Sequence, residues 1–133
     1  MVSTRDFLIA YSNALKAQGV TIPIKVIVAP KPEPDEYIYI SVLNSADTDY
    51  NVARADSQYF EVTCQIVYSD MNDPSDYLET LDNVITVAND KTSYLDTITI
   101  NNRIFMGQNT LDPTESNNKI YNISTVRTKF IIN

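Results

Sequence analysis

The chain has 133 residues, of which 44% are hydrophobic and 20% are charged, and its formal net charge is −7. It contains no His, one Cys and two Gly, which excludes an internal disulfide, His- or Cys-rich zinc sites, His-assisted nucleophiles and Gly-rich phosphate loops. The acidic balance and the lack of a basic stripe argue against tight binding of nucleic acid through its phosphates.

Residues 3–19 predict an amphipathic helix. Ser3 or Thr4 can cap its start, and Gly19 is a natural C-terminal stop. Its apolar stripe, expected to face a sheet, is Phe7, Leu8, Tyr11, Ala14 and Leu15. The polar side is not basic, which disfavours a membrane-surface helix. Because this segment also lacks the pattern of a signal peptide, and no apolar run could span a bilayer, we expect a soluble intracellular protein.

Two strands are predicted next, in residues 20–30 and 36–43. The first, VTIPIKVIVAP, alternates apolar residues on one parity, and Pro23 restricts it to an edge or an irregular start. The proline-rich KPEPDE that follows is interpreted as a loop within one domain. EYIYISVL has apolar or aromatic residues on both faces, which is typical of a central strand.

Residues 44–57, NSADTDYNVARADS, have no core pattern and predict a long exposed loop. The next segment, QYFEVTCQIVY, alternates cleanly and predicts a strand with one apolar face. That face consists of Phe60, Val62, Cys64, Ile66 and Tyr68. The single cysteine is therefore expected to be buried and unreactive.

The acidic stretch VYSDMNDPSDYLETL is the part of the chain that most resembles a metal site. An EF-hand calcium loop beginning at Asp70 requires Gly sixth and Glu twelfth, where this chain has Ser75 and Leu81. A helix start fits better, with Asp73 as the N-cap and Pro74 in the first helical position. We therefore predict a structural cap and no metal site. The buried stripe of this helix is expected at Tyr77, Leu78, Leu81, Val84, Ile85 and Ala88.

The remaining segments predict strands and a loop. DTITINNRIFMG predicts a β-hairpin that turns at Asn101-Asn102, since Asn tolerates a left-handed backbone. Residues 107–118, GQNTLDPTESNN, predict a second long irregular loop. In the last strand, KIYNISTVRTKFII, the apolar parity changes, and a β-bulge near Ser124 would explain that change.

The order of these elements predicts one α+β domain over residues 1–133, with a mainly antiparallel sheet of about four to six strands and two helices packed on one face. Four segments define the layout: TRDFLIAYSNALKAQG, IKVIVAPKPEPDEYIYISVL with its strand entry PDEYIYI, QYFEVTCQIVYSDMNDPSDYLETLDNVITV and NNKIYNISTVRTKFII. Over nearly the whole chain, their order and spacing resemble the tail terminator (tail completion) family of long-tailed bacteriophages. The resemblance is one of layout and not of a sharp motif.

The resemblance implies a virion structural protein and not an enzyme. Family members form a ring, expected to be a hexamer, that caps the finished tail tube, stops its polymerisation and presents a docking surface for the head–tail connector. The implied partners are other copies of the chain, the tail tube protein and the connector, with no cofactor and no membrane. The implied location is the head-proximal end of the tail, after assembly in the host cytoplasm. Phage DNA would pass through the channel without specific binding, which suits six copies with a total charge of 6 × −7, roughly −42.

The two long irregular segments are the expected assembly sites, because long loops on a rigid scaffold are where binding concentrates. The candidate residues at a subunit contact or at the channel are Asp47, Asp49, Tyr50, Arg54, Asp56, Leu111, Asp112 and Glu115. The three Asp residues of the first segment would keep the local field negative, whereas its Tyr and Arg are residue types that dominate interfaces. A solvated loop without a partner is the open alternative.

Other classes of function stay open at this point. A head-completion or other connector protein, or a tail tube subunit, could have a similar small fold, and a tube subunit should polymerise when purified. A hydrolase or small-molecule binding domain would need two carboxylates in one pocket, whereas most acids here lie in predicted loops or helix caps. A host regulatory binding module is a further alternative.

Overall fold

A computed structural model of the chain describes residues 2–26, 35–46, 58–69, 74–116 and 118–132. The elements in chain order are α1 (Thr4–Gln18), β1 (Ile24–Lys25), β2 (Glu36–Ala46), β3 (Gln58–Ser69), α2 (Ser75–Asn89), β4 (Tyr94–Leu95), β5 (Ile98–Thr99), β6 (Asn102–Thr110), β7 (Thr114–Ser116) and β8 (Lys119–Ile132). The predicted α+β class, with two helices and a mainly antiparallel sheet of six strands, is confirmed. Neither helix in the described ranges has the length and apolar character needed to cross a membrane.

The main sheet has the strand order β1–β2–β3–β8–β6, and β7 pairs with the start of β8 on the same side as β6. β1 is parallel to β2, and the other neighbours are antiparallel. β3 and β8 pair without interruption over their shared length and are the centre of the sheet. Of the strand predicted in residues 20–30, β1 contains Ile24–Lys25, at the edge that Pro23 indicated. Residues 27–30 lie outside the described ranges.

Both helices pack on one face of the sheet, which we call the covered face. Strand alternation directs every second side chain of β2, β3 and β8 to this face, and these side chains form the core with the helices. Phe7 of α1 stacks on Phe60 of β3 with ring centroids 4.1 Å apart, and Phe130 of β8 meets Phe7 edge-on. The burial predicted for Cys64 is confirmed, and it raises the pKa of the Cys64 thiol to about 12.

α1 begins and ends where the sequence indicates. The Ser3 hydroxyl accepts a hydrogen bond from the Asp6 N–H at 3.1 Å, and Gly19 ends the helix with a φ of 120°. The predicted stripe is correct at its centre, while Leu8 and Ala14 are half-buried at its margins. The fully buried residues of α1 are Phe7, Ala10, Tyr11 and Leu15.

α2 begins close to the predicted position. Pro74 has helical backbone angles, and its carbonyl accepts the Leu78 N–H at 3.0 Å, while the predicted cap Asp73 lies outside the described residues. The predicted stripe is wrong at Leu78, which is 51% exposed, and it missed Thr80. Thr80 is buried because its hydroxyl has a partner there, the Tyr68 hydroxyl at 2.8 Å.

The predicted hairpin with a turn at Asn101-Asn102 is wrong. The turn lies at Asp96-Thr97, between β4 and β5, and Asp96 has the left-handed φ of 53°. Asn102 instead begins β6, and the Asn101 N–H donates to the Ile131 carbonyl at 2.8 Å. Because β8 offers β6 a partner along its whole length, pairing with β8 prevails over a local two-residue turn.

The predicted loop over residues 107–118 is wrong over most of its length. Gly107–Thr110 belong to β6, and Thr114–Ser116 form β7. Both strands lie at the edge of the sheet with mostly exposed polar side chains, so they lack the apolar alternation that marks a strand. Of the other predicted loop, 44–57, the first three residues, Asn44–Ala46, belong to β2 and pair with β3, while residues 47–57 lie outside the described ranges.

The bulge predicted near Ser124 is also misplaced. β8 keeps one register with β3 throughout, and the irregularity lies across the ladder in β6, between Phe105 and Gly107. Gly107 has a φ of 132°, a conformation that favours glycine. The parity of β8 looked broken because the apolar Tyr121 and Ile123 lie on the outer face, whereas the polar Ser124 and Thr128 are buried on the covered face.

Candidate assembly surface

The first group of predicted site residues lies outside the described ranges: Asp47, Asp49, Tyr50, Arg54 and Asp56. Their segment connects Ala46 to Gln58, which are paired at the ends of β2 and β3. The buried Gln58 amide donates to the Val2 carbonyl at 2.8 Å and to Asn44 Oδ1 at 2.9 Å, and it accepts the Val2 N–H at 3.0 Å. Asn44 in turn donates to the Thr4 hydroxyl at 2.9 Å. This polar network fixes the paired ends of β2 and β3 against the start of α1.

The second group, Leu111, Asp112 and Glu115, lies together at one edge of the sheet. Leu111 and Asp112 are between β6 and β7, and Glu115 in β7 is opposite Ile120 of β8. All three side chains are exposed. The Leu111 N–H donates to the Ile123 carbonyl at 2.9 Å, so the turn stays attached to β8. The structure therefore places these candidates at a strand edge rather than on a long loop.

This edge exposes large apolar side chains. Five of them are between 38% and 52% exposed, and we call them the apolar edge: Ile104, Phe105, Met106, Leu111 and Ile120. No strand among the described residues pairs with the outward side of β6. An edge with open backbone groups and apolar side chains is a template for association with another chain. Of these five, only Leu111 was predicted, although the consecutive apolar residues IFM were a visible signal.

The sheet face opposite the helices, which we call the outer face, has an excess of positive charge among the described residues. There its charged side chains are four cations, Lys25, Lys119, Arg127 and Lys129, and two carboxylates, Asp35 and Glu61. Lys119 and Asp35 form an ion pair at 2.9 Å, and the Lys129 ammonium lies 4.0 Å from the Tyr59 ring centroid. Within the described ranges, no carboxylate oxygen lies within 4.0 Å of the Arg127 guanidinium. This face therefore differs in sign from the whole chain.

The exposed side of α2 has the opposite charge. Asp76, Glu79 and Asp82 are exposed, and the helix contains no Lys or Arg. These acids follow one another at spacings of three residues, which makes them neighbours on the helix surface. Leu78 is exposed among them. We call Leu78, Glu79 and Asp82 the acidic stripe.

Arg103 attaches the edge strand β6 to the end of α2. Its guanidinium donates to the carbonyls of Val87 in α2 and Tyr94 in β4, and it lies 5.6 Å from the Phe130 ring centroid. A cation at a helix C-terminus is favourable because the last carbonyls lack partners within the helix. Burial lowers the pKa of Arg103, and the nearby Asp90 charge opposes that shift. Two clefts, of about 300 Å³ and about 210 Å³, border this side chain.

A chain of polar side chains, buried at Tyr77 and Ser124 and exposed at Thr110 and Gln108, links β6 to α2 through β8. Tyr77 and Ser124 share a hydrogen bond, Ser124 lies 2.9 Å from the Thr110 hydroxyl, and Gln108 donates to Thr110 at 2.6 Å. The buried polar side chains of the described ranges are amides and hydroxyls, with no carboxylate among them. In the same ranges, no group of three or more His, Cys, Asp or Glu could hold a metal ion.

Comparison of the chain with models of known protein families gives no match, and comparison with curated protein sequences gives none either. A functional interpretation of this chain therefore depends on its own residues and geometry, together with the resemblance of layout.

Proposed function

We propose that this protein is a ring-forming cap of a bacteriophage tail tube. It binds the finished end of the tube, stops further growth and presents the surface to which the head connector docks, with copies arranged as a hexamer around the DNA channel. The observation that best supports an assembly role is the apolar edge, where β6 offers open backbone groups beside the exposed Ile104, Phe105 and Met106. Burial of such an edge against another chain removes apolar surface from water and pairs the backbone.

The difference between the two sides of the sheet supports a cap over a tube subunit. A subunit that polymerises must present again, on its far side, the surface to which the next copy binds, whereas a cap must not. Here one side of the sheet has two helices with an acidic stripe, and the other is an open face with excess positive charge. The two sides of the sheet are therefore chemically unlike, so one copy does not repeat the same surface on its far side.

The support beneath β6 also agrees with an assembly role. Arg103 holds this strand to α2 and β4, and the hydroxyl chain through Ser124 holds its far end. An edge that is already ordered loses less conformational entropy on binding than a mobile one.

The proposal is tested by negative-stain electron microscopy of the purified protein, alone and mixed with purified tail tubes. We expect rings of uniform size at one end of each tube, even if the isolated protein is monomeric when dilute. Ile104→Glu places a charge in the apolar edge and should reduce assembly of rings on the tubes by at least about tenfold. Ile9→Glu on α1, where the side chain is 48% exposed against 42% for Ile104, is the matched control and should bind normally.

Two outcomes would contradict this function. A protein that stays monomeric at high concentration and does not bind tubes is not a cap. Helical filaments formed by the protein alone would favour a tube subunit instead.

A further inference from the structure

We propose that neighbouring copies in the ring meet through two different surfaces, with Arg127, Lys129 and Ile104 of one copy against the acidic stripe of the next. This inference rests on the proposed ring and names the surfaces that close it. The partner is a second copy of this chain, recognised by charge of opposite sign around an exposed aliphatic side chain.

The cationic surface is formed by two adjacent strands. Lys129 of β8 lies opposite Ile104 of β6, and Arg127 lies opposite Gly107, so both cations are next to the apolar edge. On the β3 side Lys129 is opposite Glu61, whereas Arg127 is opposite Thr63, so one acid stands beside the two cations. Two like charges thus stand on one face of one strand, and Arg127 has no carboxylate within ion-pair distance in the part of the chain that the structure describes.

The acidic stripe has negative charges that its own helix does not compensate. Asp76 lies in the first turn of α2, where the helix dipole favours a negative charge, but Glu79 and Asp82 lie beyond that turn. Like charges at this spacing repel each other, and α2 has no Lys or Arg to compensate them. Leu78, which lies beside them and is more than half exposed, adds apolar surface to the same side of the helix.

The two surfaces also agree in spacing. Arg127 and Lys129 are two residues apart on a strand, which separates them by about 7 Å, and residues three apart on a helix are about 5–6 Å apart. Two ion pairs can therefore form side by side, with Ile104 and Leu78 in contact beside them. A contact between unlike surfaces gives a closed ring when the rotation between copies closes, and a filament when it does not.

Charge reversal tests the contact, because like charges across an interface are strongly unfavourable. The first variant combines Arg127→Glu with Lys129→Glu, and the second combines Glu79→Lys with Asp82→Lys. Each should weaken ring formation by at least about tenfold in sedimentation velocity, and the fourfold variant with all four changes should recover most of that loss. Lys16→Glu with Lys91→Glu makes the same change of net charge as the first variant, at exposed sites away from both surfaces, and it should assemble normally.

The outcomes separate this inference from the proposed function. Circular dichroism first establishes that each variant is folded. If wild type forms rings on tubes and the folded reversal variants do the same, or if the fourfold variant does not recover, the assigned contact is wrong and the cap function stands. If reversal disrupts and restores assembly but the wild-type product is an open filament, the contact stands and the cap function fails. A wild-type protein that neither self-associates nor binds tubes overturns both.

Discussion

Along β3 and β8, neighbouring residues belong to opposite faces of one sheet and differ in almost every physical respect. Phe60 is fully buried and stacks on Phe7, whereas the adjacent Tyr59 lies on the outer face beneath the Lys129 ammonium. Polar groups on the covered face, such as Ser124, have hydrogen-bond partners inside the protein. The outer face has charged side chains, such as Arg127, without an ion-pair partner in the described part of the chain. Stability therefore depends on the covered face, and association is expected to depend on the outer face and the edge beside it.

The largest expected difference between the two faces is the loss of stability on truncation of the neighbouring aromatic residues Phe60 and Tyr59. Phe60→Ala should lower the free energy of unfolding by about 3–5 kcal/mol, because it removes a fully buried ring and leaves a cavity. Tyr59→Ala should cost less than about 1 kcal/mol, mainly from the lost cation–π contact. Urea denaturation measures both values, and equal losses would show that the two faces are not energetically distinct.

Replacement of Arg103 and of Arg127 should also have different effects on stability. Arg103→Leu should destabilise the fold by about 1.5–3 kcal/mol, because the Val87 and Tyr94 carbonyls lose a charged donor. Arg127→Leu on the outer face should change stability by no more than about 0.5 kcal/mol. Thermal and urea unfolding of both variants provide the measurement. A larger loss for Arg127 than for Arg103 would contradict the structural role assigned to Arg103.

Removal of the adjacent hydroxyls of Ser124 and Thr125 should affect stability differently, because they lie on opposite faces of the sheet. Ser124→Ala should cost about 1–3 kcal/mol, because it leaves the buried Tyr77 hydroxyl without its partner, whereas Thr125→Ala on the outer face should be nearly neutral. Combining Ser124→Ala with Tyr77→Phe should cost less than the sum of the two single changes, since no unpaired hydroxyl then stays between them. Strict additivity in this double-mutant cycle would argue against the hydrogen bond.

The smallest expected effect concerns the ion pair on the outer face. The hydrogen bond and charge of Lys119 hold the pKa of Asp35 below its ordinary value of 3.8. The pair therefore adds stability above that ordinary value, and the contribution is lost as the pH falls through the lowered pKa. NMR titration of Asp35 should show its pKa rising towards 3.8 in Lys119→Met and staying unchanged in Arg127→Met. An unchanged pKa in the Lys119 variant would refute the pairing.

The parts of the fold that sequence reasoning predicted are those whose apolar residues follow a strict period. α1, β3 and α2 each bury one side, so their periodicity identified them, and Ser3 and Gly19 fixed the ends of α1. The second half of β6 and all of β7 were missed, because an edge strand with both sides largely exposed has no apolar alternation to detect. β8 was misread because Ser124 and Thr128 are buried polar residues, which only the tertiary contacts explain.

The candidate site was predictable to a smaller extent. Leu111, Asp112 and Glu115 were selected because they were thought to lie on a long loop, and they lie at the sheet edge instead. The proximity of Arg127 and Lys129 to the apolar edge depends on the pairing of β6 with β8, a long-range register that a local pattern does not contain.

Hydrogen exchange of the β6 amides measures directly whether this strand is an assembly surface. Amides of β6 that point away from β8 have no strand partner among the described residues, so they should exchange quickly in the dilute protein. On tail tubes, exchange in Asn102–Thr110 should slow by at least about tenfold, while the central strand β3 stays slow in both states and is the reference. Unchanged exchange in β6, in protein shown to be bound to tubes, would contradict the claim.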